Sequence, residues 1–262
     1  MSKAAGRMVP LSLGRRIICD LMHVSIRTPT VSIQKDMFVT DLMTARRLAQ
    51  PRPSWCSIFT KAYSKVVASR PELRRAFLSF PWERMFEYHV TTADVAVEMD
   101  VGDETAVVGV PLNRPDSLPL LDIDRLLAGC RERPLEHLGR YRRARALARW
   151  PRLVRHCVWW YILNVSGQKR SRYFGTFGVT TVGNWGVDSL RPLSPCISLL
   201  HYGAIDGQGK VTVRLTFDHR VLDGSAPAQA LLEMEHFLAT DILAELVSLR
   251  GEQDQKWLAK AG

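Results

Sequence analysis

Between residues 211 and 217, apolar Val211, Val213, Leu215 and Phe217 alternate with Thr212, Arg214 and Thr216. That is the period of a strand with one buried face. Further strand patterns lie at roughly 29–35, 88–99, 105–111, 176–182 and 196–205, with turns at Gly102-Asp103 and Gly207-Gln-Gly209. Helical spacing appears four times. Residues 12–23 are amphipathic, and Ser54 caps a second helix whose stripe is Ile58, Phe59, Ala62, Tyr63, Val66 and Val67, ending before Pro71. A third spans about 122–138. The last follows Gly224-Ser225, has Pro227 in its first turn, and lines one face with Leu231, Met234, Leu238, Ile242, Leu246 and Leu249. Strands and helices mixed without strict alternation predict an α/β fold, a sheet with helices packed mainly on one face.

With 262 residues and 46% apolar content, the chain can bury a sizeable core as one domain. No stretch reaches the apolar length of a membrane-spanning helix, and the start lacks the apolar core of a secretory signal, so a cytoplasmic location is expected. Cys19, Cys56, Cys130, Cys157 and Cys196 are odd in number and form no Cys-x-x-Cys pair. They read as buried free thiols, not as a disulfide framework or metal site. His23, His89, His137, His156, His201 and His236 show no metal-ligand spacing and read as structural or exposed.

The formal net charge of +10 is local. Residues 131–172 hold twelve Arg or Lys against Glu132 and Glu136, so this segment carries the whole excess. Such a distribution argues against general nucleic-acid binding and for a local anionic partner.

The candidate chemistry stands at the end of the 211–217 strand. The string Asp218-His-Arg-Val-Leu-Asp-Gly224 delivers His219 from a rigid strand into a loop, where an imidazole can act as general base near neutral pH. On its own chemistry Asp223 could be a second catalytic acid or a structural anchor. The string resembles the active-site motif of the dihydrolipoamide acyltransferases, the catalytic cores of 2-oxoacid dehydrogenase complexes, which share a fold with chloramphenicol acetyltransferase. Other segments are similar in family order from about residue 11 to 246. They are Arg15-Arg16-Ile-Ile-Cys-Asp-Leu-Met22, Asp94-Val-Ala-Val-Glu98, Val107-Val-Gly-Val-Pro-Leu112 and Gly175-Thr-Phe-Gly-Val-Thr-Thr-Val-Gly183 with Asn184-Trp-Gly186.

The resemblance implies a two-layer α/β sandwich of the chloramphenicol acetyltransferase type and a coenzyme A-dependent acyltransferase. His219 would be the base. Thr180 would occupy the place of the family serine that donates to the oxyanion, with Thr181 as fallback. Asp223 would pair with Arg15 and so shape the turn, and Gly224 would be required by backbone geometry. The sites would lie between protomers of a trimer. No tightly bound cofactor is implied: coenzyme A and its acyl esters would be substrates. Residues 1–10 read as a disordered arm without a lipoyl or subunit-binding domain, so a lipoyl group or acyl carrier protein would come in trans.

Residues 139–172 depart from the family as a basic amphipathic insert. Leu147, Trp150, Val154, Cys157/Val158, Tyr161/Ile162 and Val165 run at helical spacing, with Arg145, Arg149 and Arg152 on another face; Pro151 marks a new helix or kink and Ser166-Gly167 ends the pattern. Residues 145–165 could lie peripherally on an anionic membrane, flank an acyl-chain channel, or pack on the core with the arginines solvated. Two other functional classes stay open: a non-catalytic trimeric scaffold, and an adaptor for nucleic acid or acidic protein working through residues 131–172.

Overall fold

The computed structural model describes residues 6–101, 104–132, 139–182, 186–190 and 192–250. The expected turn at Gly102-Asp103, the end of the helix expected to reach 138, His137, the Gly183-Asn184-Trp185 segment and half of the expected N-terminal arm lie outside the described residues.

The described strands are β1 (Thr30–Phe38), β2 (Arg75–Leu78), β3 (Arg84–Glu87), β4 (Thr92–Val101), β5 (Glu104–Asn113), β6 (Phe177–Thr180), β7 (Ser198–Tyr202) and β8 (Lys210–Asp218). Six of them form one mixed sheet in the order β1-β8-β7-β6-β4-β5, while β2 and β3 pair apart. Strands β4, β6 and β7 run parallel, and β1, β8 and β5 are antiparallel to their neighbours. The described helices are α1 (Leu13–Ser25), α2 (Thr40–Leu48), α3 (Trp55–Ser69), α4 (Leu120–Glu132), α5 (Gly139–Ala148), α6 (Arg152–Asn164), α7 (Gly167–Phe174), α8 (Ser225–Phe237) and α9 (Leu243–Ser248). The last two are joined by a wide turn at Leu238–Ile242, so the long apolar face read at 231–249 runs on through both. Helix α2 and the β2–β3 hairpin had no reading in the sequence; four-residue strands are too short to display a period.

Helix α3 sits centrally. The Ser54 hydroxyl accepts from the Ser57 N–H at 3.2 Å, and Asp124 on α4 accepts from the Ser54 N–H at 2.9 Å and the Ser57 hydroxyl at 2.7 Å. The cap therefore also ties α3 to α4. The whole predicted stripe of α3 is buried, with Phe59 stacked on Tyr202 at 4.3 Å and Tyr63 edge-on to Phe177 at 5.1 Å. The Tyr63 hydroxyl donates to Ser198 at 2.8 Å, and burial pushes its pKa up. Helix α8 packs on the same face through Ala230, Leu231 and Met234.

The opposite face of the sheet is buried as well, contrary to the alternating pattern. The alternation in β8 implied solvent beyond Thr212, Arg214 and Thr216, yet Arg214 is 5% exposed and Thr216 2%. Asp188 and Ser189 meet Arg214 on this side, and the insert reaches it through Arg140, which pairs with Asp94. Arg214 donates to the Ser189 carbonyl, to Gln34 at 2.8 Å and to Asp188 at 3.5 Å, and Thr216 shares a 2.7 Å hydrogen bond with Ser32. Polar residues here are internal because partners meet them, not because water does.

The insert is three helices, α5, α6 and α7. Pro151 precedes α6, as one of the two readings had it, but Ser166 caps α7 instead of ending the pattern, accepting from the Lys169 N–H at 3.3 Å. Because α6 starts afresh, the continuous stripe read from Leu147 to Val165 does not form one buried line: Trp150, Val154 and Tyr161 are exposed, while Trp159, Ile162 and Arg155 are buried. Trp159 and Ile162 join Val24, Phe174 and Cys196 in a second, smaller apolar cluster. Arg155 donates to both oxygens of buried Asp20 on α1, at 2.7 and 3.0 Å, so the insert is locked to the N-terminal helix by an internal ion pair. The thiols also differ from expectation. Only Cys196 is buried, its pKa pushed up to about 12 by burial, whereas Cys19 and Cys157 are exposed.

Candidate active site

Strand β8 reaches the site with its apolar face buried, Val211, Val213, Leu215 and Phe217 being at most 1% exposed. The turn that follows is closed by its own residues. Buried Asp218 accepts from the Arg220 N–H at 3.1 Å, its Nε at 2.9 Å and its Nη2 at 2.7 Å, while the Asp218 carbonyl accepts from the Val221 and Leu222 N–H groups. Arg220 also lies over the Phe77 ring at 4.7 Å. The His219 N–H donates to the Pro29 carbonyl at 2.9 Å. These bonds fix the His219 backbone on both sides and leave its side chain 47% exposed. Its Nδ1 lies 3.8 Å from the nearer Asp223 oxygen, an electrostatic contact beyond hydrogen-bond length.

The support expected for this turn is not the support observed. Asp223 is 95% exposed, and Arg15 is exposed and makes no ion pair among the described residues. Within one chain the Asp223–Arg15 pair is absent. Asp218–Arg220 does its work, two residues that flank the histidine in the sequence itself. Gly224 has φ −57° and ψ −25° with open space where a Cβ would stand, so its backbone does not require glycine. The turn already brings residue 224 into helical geometry for α8. By contrast Gly175, which ends α7, has φ +67° and no room for a side chain beside the Thr92 carbonyl.

Thr180 ends β6 half-buried, and its hydroxyl has no hydrogen-bond partner among the described residues. Thr181 is committed elsewhere: its hydroxyl donates to the Tyr202 carbonyl at 2.9 Å. Both border a cleft of about 530 Å³ whose walls include Glu98, Trp55 and Tyr202. Thr180 is therefore the hydroxyl available for new chemistry.

His219 and Thr180 do not meet within a chain. Thr180 pairs with His201, and His201 pairs with Arg214, five residues before His219. At the rise of an extended strand that separates the two side chains by about 17 Å along the sheet, plus two strand spacings across it. They stand at opposite ends of the sheet.

His201 carries a feature that no sequence signal disclosed. Its ring is 1% exposed, one nitrogen bonds Asp188, and its Nδ1 is buried without a hydrogen-bond partner. Asp188 meets Arg214 as well, at 3.5 Å, so the three side chains form one polar group behind β7 and β8.

No family model and no curated protein sequence matches the chain. Solved structures match over most of its length. A probable dihydrolipoamide acetyltransferase from Listeria monocytogenes superposes with a TM-score of 0.66 at 17% identity, covering 90% of this chain and 96% of that one. The dihydrolipoamide acetyltransferase of Azotobacter vinelandii gives 0.66 at 19% identity, covering 92% and 94%. Chloramphenicol acetyltransferase gives 0.50 at 12% identity, covering 87% and 96%. The fold is that of the dihydrolipoamide acyltransferase cores. On this two-layer acyltransferase fold, the mixed sheet with α3 and α8 packed on one face is as the sequence predicted; the polar face buried under the insert has no signal in the sequence.

Proposed function

We propose that the protein is an acyltransferase that moves an acyl group between coenzyme A and a thiol, hydroxyl or amine acceptor, with His219 as general base. The observation that carries this reading is the presentation of His219: its backbone is clamped by Pro29 and the Asp218–Arg220 turn while its imidazole is left accessible. A rigid base with a free ring suits proton transfer near neutral pH.

The neutral imidazole takes the proton of the acceptor thiol, hydroxyl or amine as that atom attacks the thioester carbonyl carbon. The carbonyl oxygen becomes an oxyanion, to which the Thr180 hydroxyl donates. Collapse re-forms the carbonyl and breaks the carbon–sulfur bond. The departing coenzyme A sulfur then receives the proton from the imidazolium, restoring His219. Since about 17 Å of sheet separates Thr180 from His219 in one chain, Thr180 must come from a neighbouring copy. The reading therefore includes an oligomer, for which a trimer is proposed, with the site between protomers. Lipoyl groups or acyl carrier proteins would be acceptors or donors in trans.

The test is acyl exchange from a panel of acyl-coenzyme A esters to dihydrolipoamide and simple thiols. His219→Ala is expected to lose about 10²–10⁴-fold in turnover while keeping the oligomer. Thr180→Val is expected to lose about 10²–10³-fold. Equal background rates in parent and variants would favour the second reading, a non-catalytic oligomeric scaffold, which the exposure of Asp223 and its separation from Arg15 support.

A further inference from the structure

A cleft of about 650 Å³ opens between α1 and α6, within the usual size range of a small-molecule site. Its walls are apolar: Val24, Phe77, Leu153, Trp160, Tyr161 and Leu163. Its charged lining has one sign. Among its fourteen lining residues are Arg27, Arg170 and Arg220, and no carboxylate.

The positive charge at the inner end is under-compensated. Arg170 is 3% exposed and donates to the Phe77 and Pro195 carbonyls, at 2.8 and 2.9 Å, without a carboxylate of its own. The carboxylate whose charge reaches it, Asp218, is already held by Arg220. Two guanidinium groups thus face one carboxylate, and a buried excess charge of this kind favours an anion. At the outer end Arg27 is exposed and has no ion pair among the described residues. The stacked rings of His23 and His156, 3.9 Å apart, form a flat wall between the two ends.

We propose that this cleft binds a single-chain anionic amphiphile, an aliphatic chain carrying a carboxylate, with the chain along the apolar walls and the carboxylate against the arginines. Binding of such a molecule does not depend on acyl transfer. The cleft nevertheless abuts the site: Thr28 and Arg220 line it, and the residues next to them, Pro29 and His219, are joined by a hydrogen bond. If the acyl-transfer reading holds, a bound chain lies beside the catalytic turn and the insert sets chain-length preference.

The test is direct binding to the assembled protein, read by tryptophan fluorescence because Trp160 lines the cleft, and repeated by calorimetry. The probes are dodecanoate below its micelle concentration, dodecanol and acetate. Saturable binding of one dodecanoate per chain is expected, about tenfold tighter than dodecanol, with none of acetate. Leu153→Asp, at a position 79% exposed and so tolerated by folding, is expected to weaken dodecanoate more than tenfold. Arg27→Gln is expected to weaken dodecanoate several-fold and leave dodecanol unchanged. Equal affinity for dodecanoate and dodecanol, or indifference to both substitutions, would overturn the proposal. So would sedimentation with phosphatidylglycerol vesicles without binding of monomeric dodecanoate, which would assign the surface of α6 to a bilayer instead. Absence of binding together with dissociation of the oligomer by Leu153→Asp would assign the cleft to a second copy of the chain.

Discussion

The two faces of the central sheet bury their side chains by different means. Toward α3 and α8, Val179, Leu200, Val213 and Leu215 are held by apolar packing. On the other face Arg214, Thr216 and His201 are equally buried, yet each is held by a named polar partner: Asp188 and Gln34, Ser32, and Asp188 again. The same division separates the main core from the insert, which is fastened by Asp20–Arg155 and by Arg140–Asp94. A packed face loses energy in proportion to the cavity made, whereas a paired face fails when one partner is removed and the other is left charged.

The sharpest way to break this comparison is at Asp20–Arg155. Arg155→Ala is expected to cost about 3–5 kcal/mol in urea unfolding because Asp20 stays buried without its guanidinium partner. Replacing both, Asp20→Leu with Arg155→Met, is expected to recover most of that loss; a double variant no better than the single one would place the insert's stability in packing after all. On the apolar face Leu215→Ala is expected to cost about 2–5 kcal/mol, with no second-site change of charge able to restore it.

A smaller effect concerns pH. Burial first, and His23 second, hold His156 below the ordinary histidine range, with Asp20 opposing. The unfolded chain then takes up the proton more readily than the folded one, so stability falls as pH drops below about 6.5 toward the folded value. Urea midpoints at pH 7.5 and 5.5 should show a drop that His156→Gln reduces; an unchanged drop would remove His156 from the account. The smallest effect is expected at Gly224. Its helical φ and free surroundings predict that Gly224→Ala shifts stability within about 0.5 kcal/mol, measured by the same unfolding curves. A large loss would show that an assembled interface crowds this position.

Much of this was readable from spacing. The stripe of α3, the run from Leu231 to Leu246 and the Ser54 cap follow from periods and cap chemistry that depend only on neighbours in sequence. His219 was readable for the same reason, since Asp218 and Arg220, which build its turn, are adjacent to it. The Asp223–Arg15 pair was expected from resemblance, and in the single chain neither member has the other. Thr180 was placed on the correct strand, but its distance from His219 depends on the order β8-β7-β6, which no local pattern encodes.

By itself the sequence determined the elements, the apolar face they share and the turn that presents the histidine, because these rest on interactions among residues a few positions apart. Tertiary structure alone decided that Arg214, His201 and Arg155 are internal, that α6 turns exposed aromatics outward beside a cationic cleft, and that the two candidate catalytic side chains occupy opposite ends of one sheet. A polar residue in an alternating pattern looks the same whether water or a buried partner awaits it. Which one does is settled only when segments far apart in the chain are brought together.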